Sequence, residues 1–367
     1  MTDERPLLPD YGGACITNIV PVLLEPGQPW PTWFPAVAED ADQVVLLVLD
    51  GLGWTQFDAR RRFAPTLSGL EGGSISTVAP STTAAALTSI TTGLAPGAHG
   101  VIGYRMRVDG EVLNVLRWQA SGRDARASIP PDKVQVHEPF AGHRPPVVTR
   151  SEFRETGFTQ AHLDRTRLSG WRVTSTLVTE VAHLVRRGEP FVYAYYEGID
   201  KVAHEYGLEE HYDAELAAAD HLVAELRAVL PSDAVLLVTS DHGQVDCGDR
   251  LLAPDAAVLD LVALQSGEGR FRWLHARPGA AADLLATATD AHGEQAWVVS
   301  VEQVSDEGWL GPRLTGDAAA RIGDVALVAR EPMAFDDPAD SGPFRLVCRH
   351  GSLTAAEMYV PLLAATS

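Results

Sequence analysis

Three six-residue runs, at 44–49, 191–196 and 234–239, dominate the hydrophobic pattern of the chain, and every residue in them except Thr239 is apolar or aromatic. Runs of this length, rich in β-branched and aromatic residues, are typical of strands buried on both faces of a parallel sheet. Between them, apolar residues recur with helical spacing over 173–187 and 209–230. Strands that alternate with helices predict an α/β fold with a mostly parallel central sheet and helices on both faces.

Shorter elements fill the pattern between these runs. The Asp109-Gly110 pair predicts a hairpin turn between two strands, and the many Pro and Arg residues of 120–150 predict a loop. The other predicted elements are a Pro-rich surface segment over 1–40, a helix that begins at 64–67, a strand over 74–78, hairpin strands over 104–108 and 111–116, and a strand over 324–330.

The pattern changes after residue 265. Apolar strand, helix and strand patterns at 271–275, 280–291 and 296–301 suggest a small βαβ insertion. We therefore expect a single catalytic domain over 1–367, with residues 265–325 as a candidate inserted cap.

A helix is predicted over 81–93. Ser81 or Thr82 can cap its start, three consecutive alanines favour it, and Gly93 can end it. The first turn then presents the Thr83 hydroxyl among unpaired backbone N–H groups. Such a helix start is suited to binding an anion.

Acidic residues stand where the three apolar runs end. Each run is followed by an aspartate, and two of these aspartates have a histidine close behind. The carboxyl ends of parallel strands meet at one edge of a sheet, which is where open α/β sheets bind ligands. With one further histidine near the end of the chain, the candidate metal ligands are Asp50, Asp200, His204, Asp241, His242 and His350.

Simpler interpretations exist for each of these residues alone. Asp-Gly after a strand is a common turn, and a single helical histidine, such as His162, His183 or His221, is most often packed or exposed. Turn chemistry does not explain the recurrence of aspartate at three strand ends, so the pattern favours a site.

The ligand types indicate the chemistry. Three carboxylates and three imidazoles without thiolate suit two Zn²⁺ ions, with Mn²⁺ or Fe also possible. Paired metals about 3.5–4 Å apart stabilise the attacking and leaving oxygens of a phosphoryl displacement. A hydroxyl such as that of Thr83 is a competent nucleophile beside a metal. The sequence therefore predicts phosphoryl or closely related transfer.

Charge and composition limit the classes of binding partner that the chain is expected to have. The formal net charge of −20 argues against binding a nucleic-acid polymer or a membrane, but a metal site can still attract a small phosphorylated substrate. The three cysteines (Cys15, Cys247 and Cys348) fit neither a disulfide framework nor a CxxC site. Residues 1–6 lack the apolar segment of a signal peptide, and no run reaches the roughly 18 apolar residues of a membrane span, so a cytoplasmic protein is expected. The oligomeric state stays open.

Five segments, in this order along the chain, resemble the alkaline phosphatase superfamily, and within it the nucleotide pyrophosphatase/phosphodiesterase (type I phosphodiesterase) branch. The segments are Val48-Leu49-Asp50-Gly51, Pro80 through Gly100, Asp200 to His204, Ser240-Asp241-His242-Gly243 and His350-Gly351. The resemblance implies two zinc sites. Its ligand sets are Asp200, His204 and His350 for one ion, and Asp50, Asp241 and His242 for the ion beside the nucleophile.

The resemblance also implies a mechanism. It places the nucleophile at Thr83, with Thr82 and Ser81 as the fallback positions, and it makes His99 structural. The implied enzyme is a metal-dependent phosphodiesterase or nucleotide pyrophosphatase that forms a phospho-threonine intermediate, which water then hydrolyses. Three alternatives stay open: a phosphomonoesterase, a phosphonate hydrolase similar to phosphonoacetate hydrolase, and a non-catalytic metal-binding relative.

Substrate specificity is expected from the segments 104–165 and 265–325. Trp54, Tyr104 and Trp118 are candidate walls for a base or aryl group, although aromatic residues near loops more often only pack.

Overall fold

The computed structural model describes residues 5–25, 27, 29–39, 41–340 and 345–366. The strands in these ranges are β1 Gln43–Leu49, β2 Glu71–Ser76, β3 Arg105–Val108, β4 Glu111–Asn114, β5 Gln119–Ala120, β6 Arg123–Asp124, β7 Pro146–Arg150, β8 Arg167–Trp171, β9 Phe191–Tyr196, β10 Ala234–Thr239, β11 Val245–Asp246, β12 Leu251–Leu252, β13 Val262–Gly267, β14 Phe271–Ala276, β15 Ala296–Ser300, β16 Val325–Ala329, β17 Ala334–Phe335, β18 Cys348–Arg349 and β19 Tyr359–Thr366.

The helices lie between these strands. They are α1 Ile19–Leu24, α2 Trp54–Asp58, α3 Pro65–Ser68, α4 Thr83–Thr92, α5 Pro96–His99, α6 Pro131–Val134, α7 Gly157–His162, α8 Thr174–Arg186, α9 Gly198–Tyr206, α10 Glu210–Val229, α11 Ala256–Leu261, α12 Ala281–His292, α13 Val301–Asp306, α14 Gly316–Arg321 and α15 Ala355–Met358. Among the described residues, none of the helices combines the length and the apolarity that a membrane crossing requires.

A seven-stranded sheet in the order β2-β19-β10-β1-β9-β7-β8 forms the centre of the molecule. The five strands from β10 to β8 run parallel to one another, whereas β19 is antiparallel to both of its neighbours. The predicted mostly parallel α/β fold is therefore confirmed.

Strand β1 is buried on both faces because both faces of the sheet are covered. Val44, Leu46 and Val48 belong to one apolar core, and Val45, Leu47 and Leu49 belong to the other. Side chains alternate between the faces of a strand, so an unbroken apolar run is what two cores require.

The predicted loop over 120–150 is interrupted by β6 and α6, and its last part is wrong. Residues Pro146–Arg150 form β7, which lies between β9 and β8 in the central sheet. The sequence of β7, with proline first and threonine and arginine last, lacks the apolar run that marks the inner strands. The predicted hairpin is present as β3 and β4, and its turn residues Asp109 (φ 49°) and Gly110 (φ 85°) both have the positive φ of a type I′ turn.

A second sheet, of four antiparallel strands in the order β13-β14-β16-β15, spans Val262–Ala329. It contains the expected strand, helix and strand as β14, α12 and β15, but β16 lies between the two strands and is antiparallel to both. The strand predicted over 324–330 thus belongs to this sheet. A separate apolar core supports it, with Leu274, Leu284 and Leu327 at its centre. That this unit acts as a cap over 265–325 stays a prediction.

Candidate metal and phosphoryl-transfer site

The three strand-end aspartates converge at the carboxyl edge of the central sheet. Asp50 directly follows β1, and Asp241 lies two residues beyond β10. Asp200 is the third residue of α9, the helix that begins just after β9. Because β9, β1 and β10 are adjacent and parallel, all three carboxylates reach the same edge.

Gly51 allows this convergence. Its φ is +77°, and a Cβ atom at this position would lie 2.9 Å from both the Cα and the Cβ of Asp200. The backbone N–H of Asp200 donates a hydrogen bond to the Asp50 carbonyl (3.1 Å). Only glycine combines this φ with such a close approach of two chain segments.

The structure gathers all six candidate ligands at this edge. Asp50, Asp241 and His242 offer ligand atoms within 4.8 Å of one another, and so do Asp200, His242 and His350. The second group differs from the expected set, because His242 takes part in it and His204 does not. His204 stays beside it, with Nε2 3.2 Å from Oδ1 of Asp200.

The three histidines have the same orientation. In each ring Nδ1 faces a backbone carbonyl oxygen, which can only accept, so Nδ1 donates and Nε2 is the ring nitrogen directed at the ligand groups. The acceptors are the carbonyls of Cys348 for His204 (2.7 Å), Gly243 for His242 (3.0 Å) and Ser81 for His350 (3.0 Å). Nε2 then points at carboxylate oxygen, at 3.5 Å from Asp50 and 3.3 Å from Asp241 for His242, and at 3.8 Å from Asp200 for His350.

The buried ionisable groups of this site suit a cation. Burial, together with the nearby Asp241 and Asp200, raises the pKa of Asp50 well above its ordinary value. Burial and the neighbouring His242 and His204 lower the pKa of His350, which keeps its imidazole neutral. Among the described residues, Asp50 Oδ1 and Asp241 Oδ2 are buried without a hydrogen-bond partner. Unpartnered carboxylate oxygens that face imidazole nitrogens fit a divalent metal.

Thr83 stands at the junction of the two ligand groups. It is the first residue of α4, and its Oγ1 lies 3.0 Å from Nε2 of His242. Thr82 precedes the helix as the N-cap residue, yet its hydroxyl makes no capping bond and has no partner among the described residues. Ser81 instead holds the His350 segment, because its Oγ donates to Ser352 O (2.7 Å) and accepts from the N–H of Gly351 (3.2 Å).

Two cavities meet at Thr83 and Asp200. The first, of 330 Å³, extends past His204 and His350 towards Glu268 and Arg349, and we call it the outer cavity. The second, the inner cavity of 250 Å³, is the more apolar one. Its walls include Leu87, Phe153, Phe158, Leu163, Tyr193 and Tyr195.

Of the aromatic residues expected as walls, Tyr104 alone lines either cavity. Trp118 is buried in the core, where its Nε1 donates to the Ile129 carbonyl (2.8 Å). Trp54 packs edge-on against Phe57.

Sequence reasoning missed several residues of the site. The Tyr195 hydroxyl donates a hydrogen bond to Asp50 Oδ2, and Gln244 Nε2 donates to Asp200 Oδ1 (2.5 Å). Tyr195 lies inside a predicted strand. Because side chains alternate between the two faces of a strand, the sequence could have placed Tyr195 on the same face as Tyr193. Glu268, between two glycines at the β13–β14 turn, gave no signal of its own.

A family model described as type I phosphodiesterase/nucleotide pyrophosphatase matches residues 44–352, which include every candidate ligand. The chain belongs to this family. Its members hydrolyse phosphoester bonds with the help of metal ions, and the chain is a hydrolase of this class that carries candidate metal-binding clusters. No curated protein matched the sequence.

Solved structures of low sequence identity share the fold. The murine ectonucleotide pyrophosphatase/phosphodiesterase 5 is 17% identical, with a TM-score of 0.67 over 89% of this chain and 88% of that one. Its inactive threonine-to-alanine form was solved in complex with AMP, and it matches with a TM-score of 0.66 and 17% identity over 89% and 88% of the two chains. Phosphonoacetate hydrolase from Sinorhizobium meliloti 1021, in complex with phosphonoacetate, is 18% identical, with a TM-score of 0.64 over 92% of each chain.

Proposed function

We propose that the protein is a phosphodiesterase or nucleotide pyrophosphatase that uses Thr83 as its nucleophile. The observation that carries the proposal is the position of the Thr83 hydroxyl, 3.0 Å from Nε2 of His242 and at the junction of both ligand groups. The two cavities that meet there give room for two substituents on phosphorus, which favours a diester over a monoester.

We further propose that two Zn²⁺ ions occupy the site. Asp50, Asp241 and His242 would hold one ion, and Asp200, His350 and the adjacent His204 the other. When bound, such ions neutralise phosphate charge and lower the pKa of a neighbouring hydroxyl. The carbonyl anchors on the three histidine rings keep the imidazoles oriented before any ion arrives.

The chain's own groups define the covalent steps. Thr83 loses its proton to solvent, and Oγ1 forms a bond to phosphorus as the bond from phosphorus to the leaving-group oxygen breaks and its electron pair departs with that oxygen. The free N–H groups at the start of α4 face the phosphoryl oxygens. A water then attacks the phospho-threonine, so that the remaining ester is released and the Thr83 hydroxyl is restored.

The test is a substrate panel on zinc-loaded wild type, Thr83→Ala and Thr82→Ala. We expect wild type to hydrolyse bis(4-nitrophenyl) phosphate faster than 4-nitrophenyl phosphate or phosphonoacetate. Thr83→Ala should lower turnover by several orders of magnitude at unchanged zinc content, whereas Thr82→Ala should stay near wild type, because its hydroxyl makes no hydrogen bond. Mass spectrometry of wild type that is acid-quenched during turnover of bis(4-nitrophenyl) phosphate should find a 4-nitrophenyl phosphoryl group on Thr83.

Three results would redirect the proposal. Faster phosphonoacetate cleavage would make the protein a phosphonate hydrolase, and faster monoester cleavage a phosphomonoesterase. Full activity of Thr83→Ala would replace the covalent route by direct attack of water. Zinc binding without turnover on any member of the panel would favour a non-catalytic relative.

A further inference from the structure

Arg349 differs from the other arginines packed near the second sheet. Arg270 is buried and donates twice to Glu357 (2.8 Å each), and Arg105 pairs with Asp337 (2.5 Å). Arg349 is partly buried, yet its guanidinium makes no hydrogen bond and no ion pair with any described residue. The residues 341–344, which precede it along the chain and lie outside the described ranges, contain no acidic side chain.

The guanidinium lies at the wall of the outer cavity. Arg349 follows Cys348 on β18 and directly precedes His350, and its Nη1 is 3.3 Å from the position that a Cβ atom would take on Gly269. Burial lowers the pKa of Arg349, although a guanidinium stays charged at every physiological pH. A desolvated and unpartnered charge is costly, and an anionic ligand would remove that cost.

Among the described residues no other charge pairs directly with Arg349. The nearby Asp340 and Asp336 act to raise its pKa, but neither forms an ion pair with it, and Asp340 is 3.9 Å from Arg105. Burial raises the pKa of Glu268 to about 8, so this side chain is mostly a neutral acid at pH 7. A second cation, Arg117, lines the same cavity, and its exposed side chain has no ion pair among the described residues.

The outer cavity lies on the leaving-group side of the site. Thr83 contacts His242, which the proposed function assigns to the ion held by Asp50 and Asp241, although its ring also lies within the group of Asp200 and His350. An in-line displacement expels the leaving group opposite the nucleophile, and therefore towards His204 and His350. These two histidines line the outer cavity and not the inner one.

We propose that Arg349, with Arg117 at the mouth of the cavity, binds an oxyanion carried by the leaving group. The subsite selects phosphodiesters or phosphoanhydrides whose leaving group bears a phosphate or a carboxylate of its own. This inference rests on the proposed function for its direction, because the nucleophile decides which cavity receives the leaving group. The inner, apolar cavity then holds the substituent that stays on phosphorus.

Two diesters that differ only in one charge test the subsite. One carries 4-nitrophenolate as its leaving group and the other 3-carboxy-4-nitrophenolate, and both keep the same second substituent. Arg349→Met, which preserves the length of the side chain, should lower kcat/KM for the carboxylated ester about 10- to 100-fold, the range for a charged hydrogen bond, and less than about threefold for the plain ester. Arg349→Lys should recover part of the difference. Arg345→Met is the charge-matched control, since Arg345 is exposed and pairs with Asp249 (2.9 Å).

Binding gives a second readout that needs no turnover. In a Thr83→Ala background, calorimetry with inorganic pyrophosphate and with phosphonoacetate should show weaker binding for Arg349→Met and unchanged binding for Arg345→Met. The two probes distinguish a phosphate from a carboxylate as the preferred anion.

The outcomes separate this inference from the proposed function. Equal losses on both esters mean that Arg349 acts only by supporting His350, and no loss on either means that it does not contact the substrate; both results overturn the subsite. If wild type cleaves neither ester, the proposed function fails, and pyrophosphate binding alone decides whether the Arg349 subsite exists.

Discussion

The hydrogen bond from Tyr195 to Asp50 is expected to control metal affinity. Asp50 Oδ2 accepts from the Tyr195 hydroxyl, while Oδ1 has no partner among the described residues. Tyr195→Phe removes that bond at almost unchanged volume. A hydrogen bond to a charged group contributes about 1.5–3 kcal/mol, which corresponds to about 10- to 150-fold in a binding constant. Loss of a group that orients a metal ligand typically lowers metal affinity about 10- to 100-fold, which agrees with the range estimated from the hydrogen bond.

The structure supplies a matched control two residues earlier on the same strand. The hydroxyl of Tyr193 is also buried but has no hydrogen-bond partner within the described part of the chain. Tyr193→Phe therefore removes an unsatisfied polar group and should leave zinc affinity unchanged, with stability equal to or slightly above that of wild type.

Zinc competition against a chromophoric chelator at pH 6, 7 and 8 measures the effect. The Tyr195 bond opposes the rise in the pKa of Asp50 that burial, Asp241 and Asp200 cause. Without it that pKa rises further and protons compete better with zinc, so the loss in Tyr195→Phe should be larger at pH 6 than at pH 8. Equal zinc affinities for the two Phe variants, or a larger loss in Tyr193→Phe, would refute this reasoning.

Two predictions concern positions outside the ligand set. Burial lowers the pKa of His99 to about 3, so its stabilising effect is fully present above pH 6.5 and is lost as the pH falls towards 3. In urea titrations of chelator-treated protein, the stability gap between wild type and His99→Gln should narrow by about 3 kcal/mol from pH 7 to pH 4, and a constant gap would contradict the buried neutral imidazole. Gly51→Ala should weaken zinc binding and lower the unfolding free energy, because its Cβ would meet Asp200 at 2.9 Å. Gly110→Ala has a similar φ but open space around it, and should lose only the about 1–2 kcal/mol of a left-handed residue with no change in zinc affinity; equal effects of the two variants would argue against the close approach at Gly51.

The inner strands could be predicted because their burial on both faces requires an unbroken apolar run, which the local sequence shows. Strand β1 needs an apolar side chain on each face at every position, and the run 44–49 meets that requirement without help from distant residues. Strands β7 and β8 carry polar and glycine residues, and only their pairing within the sheet identifies them. The position of the aspartates that follow the inner strands was predictable for the same reason. The end of each apolar run marks the end of its strand, and the carboxyl ends of parallel strands meet at one edge of the sheet.

The groups that surround the ligands were not predictable. That Ser81 holds the His350 segment, or that the N-cap hydroxyl of Thr82 makes no bond, depends on how α4 meets a segment about 270 positions away in the chain. Arg349 is next to a recognised ligand in sequence, yet its lack of a partner becomes visible only when the side chains of the second sheet are in place. The roles of these side chains depend on contacts between distant segments, which local residue patterns do not predict.

Strand β19 has a consequence for how the protein is made. It lies between β2 and β10, and pairs Val235 with Thr366 at one side and Tyr359 with Ser76 at the other. Until this strand arrives, β2 is not hydrogen-bonded into the sheet with the parallel strands. A nascent chain can therefore assemble β1, β9 and β10 during translation, but the complete sheet cannot form before residue 366 has left the ribosome. Closing such long-range pairings is slow, so a partly synthesised chain exposes the edge of β10 from the time that strand is made until β19 pairs with it. Chaperones that shield sheet edges should matter more to the yield of this protein than to that of a fold closed by local contacts.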